Sequence, residues 1–60
     1  MKILYEDKSG RGITNKFSLS HGKKHFKDIE NYDGILFSEW LTTAEIGDEF
    51  ENTTEKFTLI

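Results

Sequence analysis

The densest apolar run of this chain is residues 35–41, Ile-Leu-Phe-Ser-Glu-Trp-Leu, which contain the only tryptophan. In a chain of 60 residues, most other apolar side chains must pack against this run to leave water. A second landmark follows at residues 45–51, Glu-Ile-Gly-Asp-Glu-Phe-Glu, where four of the seven side chains are carboxylates. Neither segment carries a specific catalytic or binding motif, so function has to be inferred from size, charge and periodicity.

The length of the chain limits how its core is built. A domain of this size buries only about 60% of the surface that its unfolded chain exposes. Cysteine is absent, which excludes disulfides and thiolate zinc sites as additional supports. Eight aromatic side chains remain, and each can bury roughly 150–250 Å². We therefore expect a single small domain over residues 1–60, with a core that is complete by itself or is completed by self-association.

The apolar runs are too short for a targeting or membrane segment. A secretory signal needs about 7–15 consecutive apolar residues, and residues 1–7 contain two acidic side chains. A transmembrane helix needs about 20 apolar residues, and no run approaches that length. We expect a cytoplasmic protein without a membrane partner.

The net charge of −3 conceals a strong asymmetry between the two halves of the chain. Residues 1–27 carry a charge of +5, whereas residues 28–60 carry −8. Such asymmetry favours an interaction surface on one half. The alternative is that the two halves pack side by side and partly neutralise each other.

Two β-hairpins are predicted from period-two alternation of apolar and polar side chains. Residues 2–7 and 13–20 alternate on either side of a glycine-rich turn, which predicts a hairpin over residues 2–20. Residues 48–60 alternate around the turn-forming residues 52–55 and predict the second hairpin.

Between the hairpins, the spacing predicts a short helix. Ser20 is a candidate N-cap, and Phe26 and Ile29 are spaced to share one helical face. Residues 32–34, Tyr-Asp-Gly, then favour a turn.

The middle segment allows two predictions. Residues 35–37 are typical of a short buried strand, after which Ser38 is the candidate cap of a helical turn through Ala44. The competing prediction is a strand that continues to Trp40. Together the segments predict an α+β fold with an N-terminal β-hairpin, one short helix and a C-terminal β-hairpin, in a mostly antiparallel sheet with one face covered by the helix.

The acidic segment is the first candidate for function. Alternate residues of a strand lie roughly 6.5–7 Å apart on one face, so Glu49 and Glu51 would match the spacing of successive phosphates. Carboxylates held in this way could occupy a protein's nucleic-acid groove. The alternative is a solvated edge strand that its charge keeps monomeric. The candidate partner-binding residues are Glu45, Asp48, Glu49, Glu51 and Glu55, with Trp40 as a core residue or an interface anchor.

The basic half is the alternative site. Its candidate nucleic-acid-binding residues are Arg11, Lys23, Lys24 and Lys27, which could contact phosphates. Phe26 among them is either a stacking aromatic or, more in keeping with its helical spacing from Ile29, a core residue.

Neither a cofactor nor an enzymatic activity is expected. His21, His25 and Asp28 have the i, i+4, i+7 spacing of metal ligands on a helix, but this spacing is common by chance, so we expect no metal. The chain has no cysteine nucleophile and no phosphate-binding glycine loop. A domain of this size also has little room for a substrate pocket of several hundred Å³.

Residues 39–51, together with the closing Phe57-Thr58-Leu59, resemble small bacteriophage accessory proteins, which are likewise short, acidic and free of cysteine. That class includes anti-CRISPR proteins, restriction inhibitors and other blockers of host enzymes. The resemblance covers about the C-terminal third and includes no diagnostic motif. It implies a stoichiometric protein–protein inhibitor, often a DNA mimic.

The leading hypothesis is a small phage- or mobile-element-encoded protein that inhibits a host nucleic-acid-handling enzyme through its acidic C-terminal half. The first alternative is a nucleic-acid-binding regulator that uses the basic half. The second is a homodimeric structural or antitoxin-like module, which the aromatic content of so short a chain suggests.

Overall fold

The computed structural model describes residues 1–10 and 12–60. In that part of the chain, four strands form one antiparallel sheet, and two helices cover one of its faces. The strands are β1 (Lys2–Asp7), β2 (Thr14–Ser18), β3 (Glu49–Glu51) and β4 (Glu55–Leu59); the helices are α1 (Leu19–His25) and α2 (Phe37–Thr43). This arrangement confirms the α+β fold with an N-terminal and a C-terminal hairpin, although it contains a second helix.

The sheet has the strand order β2-β1-β4-β3. Strands β1 and β4, from opposite ends of the chain, pair at the centre, where Ile3 lies opposite Leu59 and Tyr5 opposite Phe57. Each outer strand belongs to one hairpin, so the two edges of the sheet come from different halves of the sequence. The two halves therefore pair through their central strands and keep their outer strands far apart.

The core lies between the sheet and the helices. It consists of five fully buried side chains: Ile3, Phe37, Phe50, Phe57 and Leu59. Phe37 is central, because its ring centroid lies 4.8 Å from that of Phe57 and 5.2 Å from that of Phe50. Trp40 is half-buried beside Phe37 and Phe50. The apolar run thus supplies the centre of the core, with Phe37 rather than the tryptophan as its most buried residue.

The buried strand predicted for residues 35–37 is wrong. Phe37 begins helix α2, and Leu36 makes only an isolated bridge with Glu30. Ile35 is 41% exposed. Three consecutive apolar residues fit a strand or a helix equally well, and here packing of one face on the core selects the helix.

The cap predicted for this helix is also wrong, since Leu36 and not Ser38 occupies the N-cap position. Helix α2 contains Trp40, which also rules out the competing strand. Its half-buried residues Trp40 and Leu41 and its C-cap Ala44 pack against the core, which is the one-sided burial typical of a short amphipathic helix.

Helix α1 starts earlier than predicted. Strand β2 ends at Ser18, whose Oγ accepts a hydrogen bond from the His21 N–H at 3.1 Å, so Ser18 and not Ser20 is the N-cap. The helix ends at His25, and Ile29 lies beyond it. Phe26 is the C-cap, and its N–H donates to the Gly22 carbonyl at 2.9 Å. Residues 19 and 20, which the period-two pattern assigned to the end of the strand, form the first turn of α1 instead, because one apolar and one polar residue fit either element.

Candidate functional site

The strand order separates the charges of the chain. Exposed lysines lie on β2, on α1 and in the turn after α1, namely Lys16, Lys23, Lys24 and Lys27. At the opposite edge, carboxylates lie on β3, in the turn before it and in the loop beside it. We call this group the acidic edge; it comprises Asp33, Glu45, Asp48, Glu49 and Glu51. The sequence asymmetry thus becomes a spatial one.

A tight turn holds the first two carboxylates of the acidic edge. The Glu45 N–H donates to Asp48 Oδ2 at 2.9 Å, and the Asp48 N–H donates to the Glu45 carbonyl at 2.9 Å. Gly47 allows the turn by adopting a φ of 98°, and its N–H donates to the Leu59 carbonyl at 2.7 Å. Both acidic side chains are exposed, so they present charge from a fixed backbone.

Glu49 and Glu51 project from the face of the sheet that the helices leave open, as period two requires. Neither carboxylate stands alone. Lys56 Nζ lies 3.2 Å from Glu49 Oε2, and Lys8 Nζ lies 2.6 Å from Glu51 Oε2. The pair at phosphate-like spacing is therefore partly neutralised by the protein's own lysines, which weakens the argument for a DNA mimic built on these two residues.

Lys8 connects the end of β1 with the acidic edge. Besides Glu51, its ammonium donates to the Asn52 carbonyl at 2.8 Å and to the Tyr32 hydroxyl at 2.9 Å. The hydrogen bond from Lys8 lowers the pKa of Glu51, and the bonds to Glu51 and then Tyr32 raise the pKa of Lys8. In the second pair, the hydrogen bond to Glu49 raises the pKa of Lys56. All four ionised groups are accessible to water, so salt and competing cations can open both pairs.

A shallow cleft of about 210 Å³ lies along the acidic edge. Its lining residues are Asn31, Tyr32, Asp33, Glu49 and Glu51. The Tyr32 N–H donates to the Glu51 carbonyl at 3.1 Å, which fixes the loop against β3, while the Tyr32 side chain is 62% exposed. Carboxylates beside an accessible aromatic ring suit a guanidinium or ammonium group, which can pair with the acids and lie over the ring.

Of the other candidate partner-binding residues, Glu55 lies elsewhere, and Trp40 takes the core position that was one of its two predicted roles. Glu55 is on the helix-covered face of the sheet, opposite Asp7. Tyr5 lies on the same face. The pKa of Tyr5 is raised mainly by the burial of its side chain and next by the negative charge of Glu55. Trp40 packs on the core from α2. The structure therefore does not bring either residue together with Glu49 and Glu51.

The alternative basic site is only partly described. Lys23 and Lys24 are exposed on α1, Lys27 is exposed in the turn that follows, and Arg11 lies outside the described residues. The Phe26 ring lies 5.1 Å from that of Phe57 and is stacked on Tyr5 at 5.9 Å. Phe26 is thus a packing residue of the core periphery and not an exposed stacking aromatic.

The histidine pair lies on α1, with the His21 and His25 ring centroids 4.3 Å apart. Asp28, the third residue of the sequence pattern, lies beyond the end of the helix. Among residues 1–10 and 12–60, no three His, Cys, Asp or Glu side chains are grouped so that they could hold a metal ion. In the same part of the chain, every helix is too short to cross a membrane.

The sequence did not identify Lys8, Asn31, Tyr32 or Asp33 as site residues. Lys8 and Glu51 are 43 positions apart, and the two segments meet only because β1 and β4 pair at the centre of the sheet. No local pattern signals such a contact. The exposed aromatic of the 32–34 turn was the one feature that could have drawn attention to the loop.

Comparison of the chain with protein-family models, with curated proteins and with solved structures finds no match in any of the three. The resemblance to small phage accessory proteins therefore stays a prediction.

Proposed function

We propose that this protein is a stoichiometric, non-enzymatic inhibitor of the kind that phages and mobile elements encode. It binds a host nucleic-acid-handling enzyme at the basic surface with which that enzyme contacts nucleic acid. The observation that supports this proposal is the strand order, which places the acidic edge and the lysines of β2 and α1 at opposite sides of the sheet. Because the two groups are separated, the acidic edge keeps a negative potential that can steer a basic partner.

The cleft supplies the specific contacts in this proposal. Asp33 is an exposed carboxylate among its lining residues, and the accessible Tyr32 ring lines the same cleft. The exposed carboxylates of Glu45 and Asp48 belong to the same acidic edge. An arginine of the partner would pair with Asp33 and stack on the Tyr32 ring, while Glu45 and Asp48 would attract further basic groups of the partner. The same arginine would compete with Lys8 for Glu51, so binding would exchange an internal ion pair for an intermolecular one.

The test begins with recovery of the partner from the native host and continues with purified components. The triple variant Asp33→Asn, Glu45→Gln, Asp48→Asn should bind the partner at least about tenfold more weakly and with a shallower salt dependence, because rim charges mainly govern association rate. It should also fail to displace nucleic acid from the partner. The matched control is Glu39→Gln, which removes an exposed carboxylate from helix α2. Unchanged affinity and salt dependence in the triple variant would contradict the proposal.

A second candidate function is nucleic-acid binding through the basic side, favoured by the adjacent exposed Lys23 and Lys24 on α1. Retention on immobilised DNA at about 150 mM salt, lost in the variant Lys23→Gln, Lys24→Gln, would favour it over inhibition.

Self-association is the remaining alternative, and exposed apolar residues favour it. Met1 and Ile46 are 69% and 68% exposed, and Ile60 is 38% exposed. They gather at one end of the sheet, because Lys2 and Ile60 exchange backbone hydrogen bonds and Gly47 bonds to Leu59. An obligate dimer would unfold on dilution, whereas a monomer would have a concentration-independent Tm.

A further inference from the structure

The two edges of the sheet differ in how they are covered. On β3, only three residues form the edge, and the loop before α2 lies against it through the hydrogen bond from the Tyr32 N–H to the Glu51 carbonyl. On β2, the edge is five residues long, and four of its side chains are exposed. Exposed edges of this kind are templates for another strand.

The pairing with β1 shows which backbone groups of β2 point outwards. The Asp7 N–H donates to the Ile13 carbonyl at 2.9 Å, and the register then places Asn15 opposite Tyr5 and Phe17 opposite Ile3. In an antiparallel ladder, residues alternate between bonding to the partner strand and pointing away from it. The backbone N–H groups of Thr14, Lys16 and Ser18 and the C=O groups of Thr14 and Lys16 therefore point away from β1. The carbonyl of Ser18, the N-cap, accepts the first hydrogen bond of α1 instead.

A local hydrogen bond supports this assignment. The Lys16 N–H donates to Asn15 Oδ1, the side chain of its own neighbour, at 3.1 Å. A bond between adjacent residues of an exposed strand satisfies the outward donor locally, and an incoming carbonyl can replace it.

The surroundings of this edge are basic on one side and aromatic on the other. Lys16 alternates with Phe17 along β2 and so points to the face of the sheet that the helices leave open. The ring of Phe17 is half-buried and stacked with the exposed His21 ring at 4.6 Å between centroids. The edge thus offers backbone hydrogen bonds, an apolar surface and positive charge together.

We propose that β2 accepts an acidic, extended peptide segment of a partner protein, which adds to the sheet as a fifth strand. Main-chain hydrogen bonds to Thr14, Lys16 and Ser18 supply affinity, as in other cases of strand addition. Acidic side chains of the peptide pair with Lys16 on the open face of the sheet, while an apolar side chain covers Phe17 on the helix-covered face. This proposal does not depend on the acidic edge at the other side of the sheet.

A second copy of the chain is a poorer occupant of this edge. The outward residues are symmetric about Lys16, so antiparallel pairing of two β2 strands would place the two Lys16 side chains opposite each other. Like charges that face each other across strands destabilise the pairing. An acidic strand in the same position replaces that repulsion with attraction.

The test is an NMR titration of the full chain with a short peptide that alternates glutamate and valine. We expect the largest amide shifts at Lys16 and Ser18. The same peptide with N-methyl groups on alternate residues cannot donate along one edge, and it should bind roughly tenfold more weakly. Equal binding of the two peptides would overturn the proposal. So would an oligothymidylate of matched charge that binds as tightly and shifts the same amides, since this would identify a nucleic-acid site.

Two variants separate the backbone contribution from charge. Lys16→Pro removes the outward N–H without removing a bond to β1, whereas Lys16→Thr removes the charge and keeps the donor. We expect the proline variant to lose peptide binding almost completely and the threonine variant to lose only part of it, with the amide dispersion of each reporting the fold. Asn15→Ala, which removes the local acceptor, should bind the peptide more tightly. Weaker binding by Asn15→Ala, or equal losses in both Lys16 variants, would contradict strand addition. The variant Glu49→Gln should bind the peptide as the parent protein does, because the acidic edge takes no part. Weaker binding by Glu49→Gln would overturn the proposal, since it would assign the peptide to the acidic edge.

Discussion

Lys8 Nζ and the Glu51 carboxylate lie 2.6 Å apart, although the residues are separated by 43 positions in the sequence. The pair joins the end of β1 to the edge strand β3, and the Tyr32 hydroxyl completes it from the loop. A carboxylate that the sequence presents as part of an open acidic row is therefore held by a lysine from the basic half. The acidic edge keeps its exposed charge at Asp33, Glu45 and Asp48 instead.

Removal of Lys8 should change the titration of Glu51. In the variant Lys8→Gln, we expect the pKa of Glu51 to rise from its lowered value towards the ordinary value of glutamate, because the hydrogen bond from Lys8 is the largest cause of the shift. Carboxyl ¹³C chemical shifts followed as a function of pH measure this change. The control variant Lys24→Gln, on helix α1, should leave the Glu51 titration as it is in the parent protein.

The same pair should make stability depend on pH. Because the hydrogen bond from Lys8 holds the pKa of Glu51 in the folded state below its ordinary value of 4.5, its contribution to stability is fully present above that value and is lost as the pH falls through the folded pKa. The difference in Tm between the parent protein and Glu51→Gln should therefore be largest near neutral pH and disappear in acid. A difference that grows on acidification would contradict the ion pair.

Gly22 lies where helix α1 approaches β1 most closely. A Cβ at this position would overlap Ile3 Cδ1 and lie 3.4 Å from Phe37 Cε1, and both of those residues are fully buried. Alanine gains about 1 kcal/mol of helix propensity, but overpacking a core costs roughly 1–3 kcal/mol. We expect Gly22→Ala to lower the free energy of unfolding by about 1 kcal/mol in urea denaturation. Lys24→Ala, exposed on the same helix, should not lower it.

Phe37 should be the most sensitive position in the core. Its ring packs against those of Phe26, Trp40, Phe50 and Phe57. Truncation of a buried phenylalanine to alanine costs roughly 3–5 kcal/mol, which is comparable with the whole stability of a small domain. We expect Phe37→Ala to be largely unfolded and Phe37→Leu to be destabilised by about 1–2 kcal/mol, as followed by tryptophan fluorescence.

The control for the core prediction is Ile46→Ala, which truncates a side chain that is 68% exposed. Its unfolding free energy should change by less than about 0.5 kcal/mol. If Ile46→Ala proves as costly as Phe37→Leu, the apolar end of the sheet is buried in solution, and self-association gains support.

The N-cap of α1 can be identified by paired substitutions. Ser18→Ala removes the acceptor for the His21 N–H and should cost about 0.5–2 kcal/mol. Ser20→Ala, within the helix, should remain within about 0.5 kcal/mol of the parent protein. Urea denaturation measures the unfolding free energy of each variant, and circular dichroism measures its helix content. Equal losses of stability in the two variants would contradict Ser18 as the cap.

Residue patterns were sufficient to predict both hairpins and the α+β class. Period-two alternation over residues 2–7 and 48–60 is local, and strands with one buried face preserve it in the folded protein. The same patterns failed at residues 35–37 and at Ser20, where short apolar runs and serine residues fit more than one element. At residues 35–37 packing against the core selected the helix, and at the start of α1 the hydrogen bond from the His21 N–H to Ser18 Oγ marks the cap.

The sequence by itself determined that the N-terminal half is basic, that the C-terminal half is acidic, and that an aromatic core has to be built around residues 35–41. Only the tertiary structure decided where those charges lie. The pairing of β1 with β4 puts β2 and β3 at opposite edges, brings Lys8 to Glu51, and turns Glu55 to the helix-covered face. The physical reason is that side-chain periodicity is a local property, whereas the order of strands in a sheet depends on which distant segments together bury the most apolar surface.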